Sequence, residues 1–149
     1  MARTRLLKRP SFDDLPEARG KTLRAVKSKN TKPEMAVRRL VHDLGYRYRL
    51  HRKDLPGKPD LAFGPRRKLI FVHGCFWHRH PDPACPFARL PKTRLEFWLQ
   101  KLEDNRGRDV ATLDRLELAG RSTLTLWECE LRDMDTITRR VLAFLGPRR

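Results

Sequence analysis

No stretch of the chain approaches the ~20 consecutive apolar residues that a membrane-spanning helix needs, so no span is expected. Cysteine is scarce, with three in 149 residues. An odd number cannot all pair inside one chain, so a disulfide framework is not expected. Met1–Pro10 is basic but has no proper apolar stretch and no small-residue cleavage site, and a secretory signal is not expected either. The expected compartment is the cytoplasm, with nucleoid association. Internal repeats and low-complexity blocks are missing. Negative charge is in short supply: 18 Asp+Glu stand against 34 Lys+Arg, a net charge of +16. With 39% hydrophobic residues the chain is not a disordered polyelectrolyte. A domain of this length buries roughly 68–70% of its unfolded surface, enough for a core without disulfides. Such an excess of positive charge draws polyanions, of which nucleic acid is the commonest. The plainer alternatives are a solubilising surface or a ribosome-like basic protein.

Met1–Gly20 carries Pro10, Pro16 and Gly20 and reads as a basic flexible arm, leaving 21–149 as the domain. Lys21–Lys29 reads as a short helix. Thr31-Lys32-Pro33-Glu34 is a capping-box pattern, followed at helical spacing by Val37, Leu40, Val41 and Leu44, with Gly45 as a stop. Tyr46, Tyr48 and Leu50 alternate with Arg47, Arg49 and His51, which predicts a strand with one buried face. Asp54–Gly57 is a turn, Pro59–Phe63 a strand broken by Gly64-Pro65, and Lys68–Gly74 an apolar strand buried on both faces. An irregular stretch, Cys75–Thr93, holds four prolines. A long helix starts with Leu95, Trp98, Leu99 and Leu102, and Val110, Leu113, Leu116 and Leu118 extend it or begin a second segment after Gly107. Ser122–Trp127 is a last strand and Met134–Leu145 a last helix. The order is α-β-β-β-α-β-α. Short links favour antiparallel pairs and the helical crossover a parallel one, so an α/β fold with a mixed sheet flanked by helices is expected.

Cys75, His78, His80 and Cys85 fall in one short loop, and Cys129 ends the last strand. Three cysteines and one histidine meet the four-ligand requirement of structural zinc, which would tie the loop to the sheet. For a lone cysteine, an ordinary buried thiol is the simpler explanation. Asp60 starts a strand beside the one that ends in His73. A carboxylate there can hold a divalent ion open to phosphate and water, as phosphodiester hydrolysis requires, although Pro-Asp alone also serves as a turn cap. Glu34 fits the capping box and is a second acidic candidate. His73 and His78 are the candidates for proton transfer, since an unperturbed imidazole titrates near neutrality. Phe76-Trp77 and Phe97-Trp98 flank the loop. Aromatics beside a metal loop in a basic protein suit base stacking or wedging, with core packing as the alternative.

Phe71-Val72-His73-Gly74-Cys75-Phe76-Trp77-His78 closely resembles the very-short-patch repair (Vsr) DNA mismatch endonucleases. Ser28–Glu34, Pro59-Asp60, Leu90–Arg94 with Glu96-Phe97-Trp98, and Trp127-Glu128-Cys129 match in order, over roughly Lys21 to Leu131. The resemblance implies a restriction-endonuclease-like PD-(D/E)xK core with a structural zinc site. It also implies a magnesium-dependent endonuclease that nicks one strand of double-stranded DNA beside a T:G mismatch left by deaminated 5-methylcytosine. By the same resemblance Asp60 binds magnesium, with the backbone carbonyl of Val72. His73 and His78 are active-site histidines, His78 the base, and Glu34 supports the site. Cys75, His80, Cys85 and Cys129 hold zinc, while Phe76, Trp77 and Trp98 wedge beside the mismatch. Two departures stand out. Phe71-Val72-His73 replaces the E-x-K half of the broad nuclease motif, and four residues separate His80 from Cys85 where the family pattern is shorter. The expected partner is DNA, bound by a monomer alongside repair proteins, with no membrane contact. A restriction-like endonuclease of the same fold with another site is the alternative, and a zinc-stabilised DNA-binding module without catalysis is a third.

Overall fold

The computed structural model describes residues 31–82 and 84–147. The expected basic arm and the Lys21–Lys29 helix lie outside them. Helix α1 (Lys32–Asp43) begins as its sequence dictates, with Thr31 Oγ1 accepting the Glu34 N–H at 3.4 Å and Pro33 in the first turn. Val37 and Val41, one turn apart, are its buried stripe. Strand β1 (Arg49–Leu50) pairs antiparallel with β2 (Leu61–Phe63), and β2 antiparallel with β3 (Lys68–His73). The 24-residue helix α2 (Leu95–Leu118) then crosses over, and β4 (Ser122–Trp127) lies parallel to β3. Helix α3 (Met134–Leu145) closes the fold, its first turn capped by Asp133, whose Oδ1 accepts the Thr136 N–H at 3.1 Å. The four strands stand in chain order, giving the expected mixed sheet.

The sheet is covered on both faces. Val37 and Val41 of α1 and Ile137, Val141 and Leu145 of α3 pack on Leu61, Phe63, Ile70 and Leu126. On the other face Leu116 of α2 packs with Leu55, Ala62, Leu69 and Phe71, and Leu113 joins from the edge. β3 therefore buries alternate residues in opposite directions, and Leu69, Ile70 and Phe71 are all buried, as its unbroken apolar run predicts.

Two local expectations differ. The strand predicted over Tyr46–Leu50 pairs only at its last two residues, and Leu50, the third residue of the expected buried face, is 41% exposed. Tyr46 is buried because its hydroxyl donates to the Gly146 carbonyl past the end of α3, while Tyr48 donates to the Arg38 carbonyl at 3.1 Å. The segment is held by these two phenols rather than by a ladder. Helix α2 runs unbroken through Gly107, so Leu118, about 200° round the helix from the buried Leu116, is 89% exposed.

Candidate active site

A cleft of about 300 Å³ opens between the end of β3 and α2, lined by Asp60, Val72, His73, His78 and Asp109 among others. Its carboxylate side is set by strand register. Leu50 pairs with Leu61, so the next residues on each side, His51 and Asp60, face one another where the ladder stops. Asp60 Oδ2 accepts the Val72 N–H at 2.7 Å. Glu34 reaches the same place from α1 and is only 2% exposed. Its Oε2 accepts from Arg38 Nη2 at 2.9 Å, and its Oε1 lies 2.6 Å from His51 Nε2. Glu34 thus does more than start the helix: its backbone is capped by Thr31 while its carboxylate is turned into the site.

Donor atoms of Glu34, His51 and Asp60 lie within 4.8 Å of one another. Burial and the neighbouring Glu34 carboxylate raise the Asp60 carboxyl to about 7, against the Val72 N–H and Arg38, which favour its ionised form. Two crowded carboxylates that resist joint ionisation, with oxygen donors facing a solvent-reaching cleft, suit a hard divalent cation, which would relieve that repulsion.

The histidine side is layered. His73 ends β3 and is buried; its ring stacks on that of His78 at 3.8 Å with an interplanar angle of 6°. Burial first, and His78 second, lower the His73 imidazole to about 4, so it is neutral at physiological pH. His78 is half exposed to the cleft, and its Nδ1 lies 2.7 Å from Asp109 Oδ2. A carboxylate oxygen only accepts, so the Asp109 contact places the proton on Nδ1 and leaves Nε2 of neutral His78 able to take one. Asn105, one turn earlier on α2, donates to the Trp77 carbonyl at 3.0 Å. The two residues together fix the loop that carries His78.

The cysteines converge at the other end of that loop. β3 and β4 run parallel with His73 opposite Trp127, so Cys75 and Cys129 leave the sheet side by side, each two residues further on. Cys129 N–H donates to Cys75 Sγ at 3.4 Å. Cys85 returns from the proline-rich loop, and the three sulfurs lie within 4.8 Å of one another. His80 Nε2 is 3.7 Å from Cys129 Sγ. Burial, with the other two thiols alongside, pushes the Cys75 thiol up to about 12, and burial raises Cys129 as well. Three sulfurs with one imidazole are a soft, four-membered donor set, and a cation there would favour the thiolate forms that burial opposes at Cys75 and Cys129.

The four aromatic residues flanking the loop form one cluster. Trp98 is its floor, 1% exposed, with Phe76 at 5.3 Å and Trp77 at 6.1 Å between ring centroids. Phe76 and Trp77 are half-buried on top of it. Of the three aromatics singled out from sequence, two face outward in part and one lies beneath them.

The sequence-predicted residues therefore separate into an open cleft (Asp60, Val72, His73, His78) with Glu34 buried behind it, a sulfur cluster (Cys75, His80, Cys85, Cys129) and an aromatic platform. Sequence reasoning missed Arg38, His51 and Asp109. Arg38 is four residues after Glu34 on a helix, a spacing that would have paired them. Asp109 follows Asn105 by the same interval. His51 carried no signal beyond its place after an alternating segment.

Residues 12–83 match the family model described as DNA mismatch endonuclease Vsr. The chain is 48% identical to the type II nicking enzyme V.XorIIP of Xanthomonas oryzae pv. oryzae over 132 residues, covering 89% of this chain and 95% of that protein. It is 38% identical to the DNA mismatch endonuclease Vsr of Escherichia coli over 124 residues, covering 83% of this chain and 78% of that protein. It is 39% identical to the type II nicking enzyme V.NmeAIP of Neisseria meningitidis over 108 residues, 72% of this chain and 75% of that protein.

Proposed function

The chain belongs to the Vsr family and is a DNA endonuclease, and from that premise we propose that it nicks one strand of duplex DNA beside a T:G mismatch, using magnesium at Asp60 and a structural zinc ion. In this reading residues 21–149 form the endonuclease domain, its mixed sheet a PD-(D/E)xK core, and residues 1–20 are a basic arm. The observation that carries the reading is the cleft itself, where Asp60 and an Asp109-oriented His78 face the same space.

Asp60 and the Val72 carbonyl would hold magnesium, with Glu34 beside them. When bound, the ion supplies Lewis acidity at the phosphate and steadies the leaving oxygen. Arg38 and His51 keep the Glu34 carboxylate fixed at the back of the site. His78 Nε2 takes a proton from water as the water oxygen bonds to phosphorus and the bond to the 3′ oxygen breaks, that oxygen taking a proton from solvent. Asp109 holds the imidazole in the required tautomer and steadies it once it is charged. His73, neutral and stacked on His78, fixes the plane of that ring. The products are a 5′-phosphate and a 3′-hydroxyl. Cys75, His80, Cys85 and Cys129 would hold zinc, which anchors the loop carrying Phe76, Trp77 and His78. Phe76 and Trp77 stack or wedge at the mismatch, and Trp98 supports them from below.

The test is incubation with magnesium and a panel of duplexes, each carrying one mismatch, followed by mapping of any nick. A single nick beside T:G, missing from T:A and dependent on magnesium, is expected. Equal cutting of a matched site would instead favour a restriction-like endonuclease.

A further inference from the structure

A phosphodiester entering the cleft brings a full negative charge, and more accumulates as the bond breaks. The cleft's own lining has little to set against it. The lysine of the broad nuclease motif is replaced by His73, which is buried and stacked. Arg38 is buried, paired with the Glu34 carboxylate and 3.3 Å from His51 Nε2. Among the described residues that line the cleft, Lys58 is the one lysine or arginine. It is exposed, and its ammonium has no ion pair with any described residue.

The backbone around Lys58 is built tightly. Gly57 and Lys58 both lie in the left-handed region, at φ +74° and +49°. Gly57 meets that need as glycine does. It also lets the turn touch α2, because a Cβ there would stand 2.3 Å from Thr112 Cγ2 and 3.4 Å from Phe71 Cε1. The Lys58 N–H donates to the Leu55 carbonyl at 3.2 Å, and Leu55 and Pro59 are buried on either side. These contacts hold the Lys58 backbone in its left-handed conformation. A lysine is strained there, where glycine would be at ease and asparagine less strained. The backbone gives no reason for a lysine, whereas its place in the cleft lining, two residues before Asp60, does.

We propose that Lys58 is a catalytic residue of the nicking reaction, its ammonium meeting a non-bridging oxygen of the scissile phosphate. The proposal rests on the endonuclease reading above. Lys58 exchanges no proton: the proton of the attacking water goes to His78, the bond broken is that between phosphorus and the 3′ oxygen, and that oxygen takes a proton from solvent. The strained turn holds the charge where negative charge develops, so it acts more strongly on the transition state than on bound DNA.

The experiment is single-turnover nicking with magnesium, together with duplex binding at fixed salt and thermal melting, for wild type, Lys58→Gln, Lys58→Gly and Lys58→Arg. Loss of one such stabilising group lowers rate by about 10²–10³-fold, and that is expected for the Gln and Gly variants. Binding should change by no more than a few-fold, and Lys58→Arg should recover to within about tenfold of wild type. Lys58→Gly should melt about 2–4 °C higher, because the strain is gone, while remaining slow. A folded Lys58→Gly or Lys58→Gln that nicks at the wild-type rate would overturn the proposal. So would equal losses in rate and affinity, which would make Lys58 a docking contact only. A wild type that cuts matched duplex as fast as T:G overturns the mismatch reading instead, and Lys58 is then judged on the matched substrate.

Discussion

The open cleft and the sulfur cluster stand at the same end of the same strand and solve opposite problems. β3 ends at His73, which faces the cleft; two residues later Cys75 enters the sulfur cluster. In both places like groups are crowded until they resist ionisation. Asp60 is held up to about 7 by burial and Glu34, and Cys75 up to about 12 by burial and its fellow thiols. The sulfur cluster closes on itself, with Cys75 and Cys85 buried and His80 alongside. The carboxylate cluster opens onto a cleft of about 300 Å³. A closed soft site spends its cation on folding, while an open hard site leaves room for a substrate oxygen and a water. In the proposed reading, similar crowding would serve structure in one place and chemistry in the other.

The sharpest way to break this comparison is to remove one member of each cluster. Cys129→Ser should cost stability in the exceptional range, above about 4 kcal/mol, because the loop and the ends of β3 and β4 lose their common tie. Chemical denaturation and elemental analysis for zinc measure it; a variant of wild-type stability with no metal in either protein would make the sulfurs ordinary buried thiols. Asp60→Asn should behave in the opposite way, abolishing nicking while leaving the fold intact. Its stability effect carries a sign. The Asp60 carboxyl titrates near 7 in the folded protein against an ordinary value of 3.8. Its contribution is therefore fully present below about pH 4 and is lost as pH rises through 7. Asparagine can still accept the Val72 N–H and does not ionise, so the variant should lose that pH dependence and be the more stable protein at pH 8. Magnesium should raise the wild-type melting temperature at pH 8 more than at pH 5, because it competes with the proton. Melting curves of both proteins at the two pH values, with and without magnesium, read all of this.

A smaller effect is expected one step from the carboxylates. Asp109→Asn keeps the shape of the helix but can donate to His78 Nδ1, which favours the wrong tautomer. Nicking should fall by about 10²–10⁴-fold, the range for a positioned acid–base group, with DNA affinity and melting temperature nearly unchanged. An unchanged rate would remove His78 from the role of base.

The difference between the two clusters also explains what the sequence could reveal. Cys75, His80 and Cys85 are neighbours in the chain, and soft ligands are rare enough for their spacing to carry meaning. Cys129 joined them because it ends a predicted strand. The element order, the parallel β3–β4 pair and α3 were likewise legible, since each rests on local periodicity or loop length. The carboxylate side is assembled from α1, the segment after β1, and the residue before β2. Asp60 and Glu34 were found, but each also had an adequate local explanation as a turn or helix cap. Arg38 stands at helical spacing from Glu34 and could have been paired with it, whereas His51 was invisible because its partner is fixed by strand register. Asp109 looked like one more surface acid on a helix that carries several. The β1 error has the same source: Tyr46 and Tyr48 alternate like a strand, but their hydroxyls are satisfied by carbonyls outside the sheet.

Phe76 and Trp77 lie on the stretch of chain that joins the closed cluster to the open cleft, between Cys75 and His78. Anchored at Cys75, at the Asn105 contact with the Trp77 carbonyl and at the Asp109 contact with His78, this stretch has little freedom to yield. Opening a mismatched step costs less than opening a paired one, so a rigid aromatic edge gains most where the stack is already weak. Stacking on one base is worth about 1–3 kcal/mol. Trp77→Ala should therefore lower the ratio of T:G to T:A nicking by roughly 5- to 150-fold, the exponential of that range. Overall affinity should hold, since it comes from lysine and arginine, and so should its salt dependence. Trp98→Ala is the contrasting variant: fully buried beneath the loop, it should cost about 3–5 kcal/mol of stability and blur activity on every duplex alike. Nicking of paired T:G and T:A duplexes at one salt concentration, alongside denaturation curves, separates the two tryptophans. If Trp77→Ala slows both duplexes equally, Trp77 belongs with Trp98 as packing, and discrimination must come from elsewhere in the cleft.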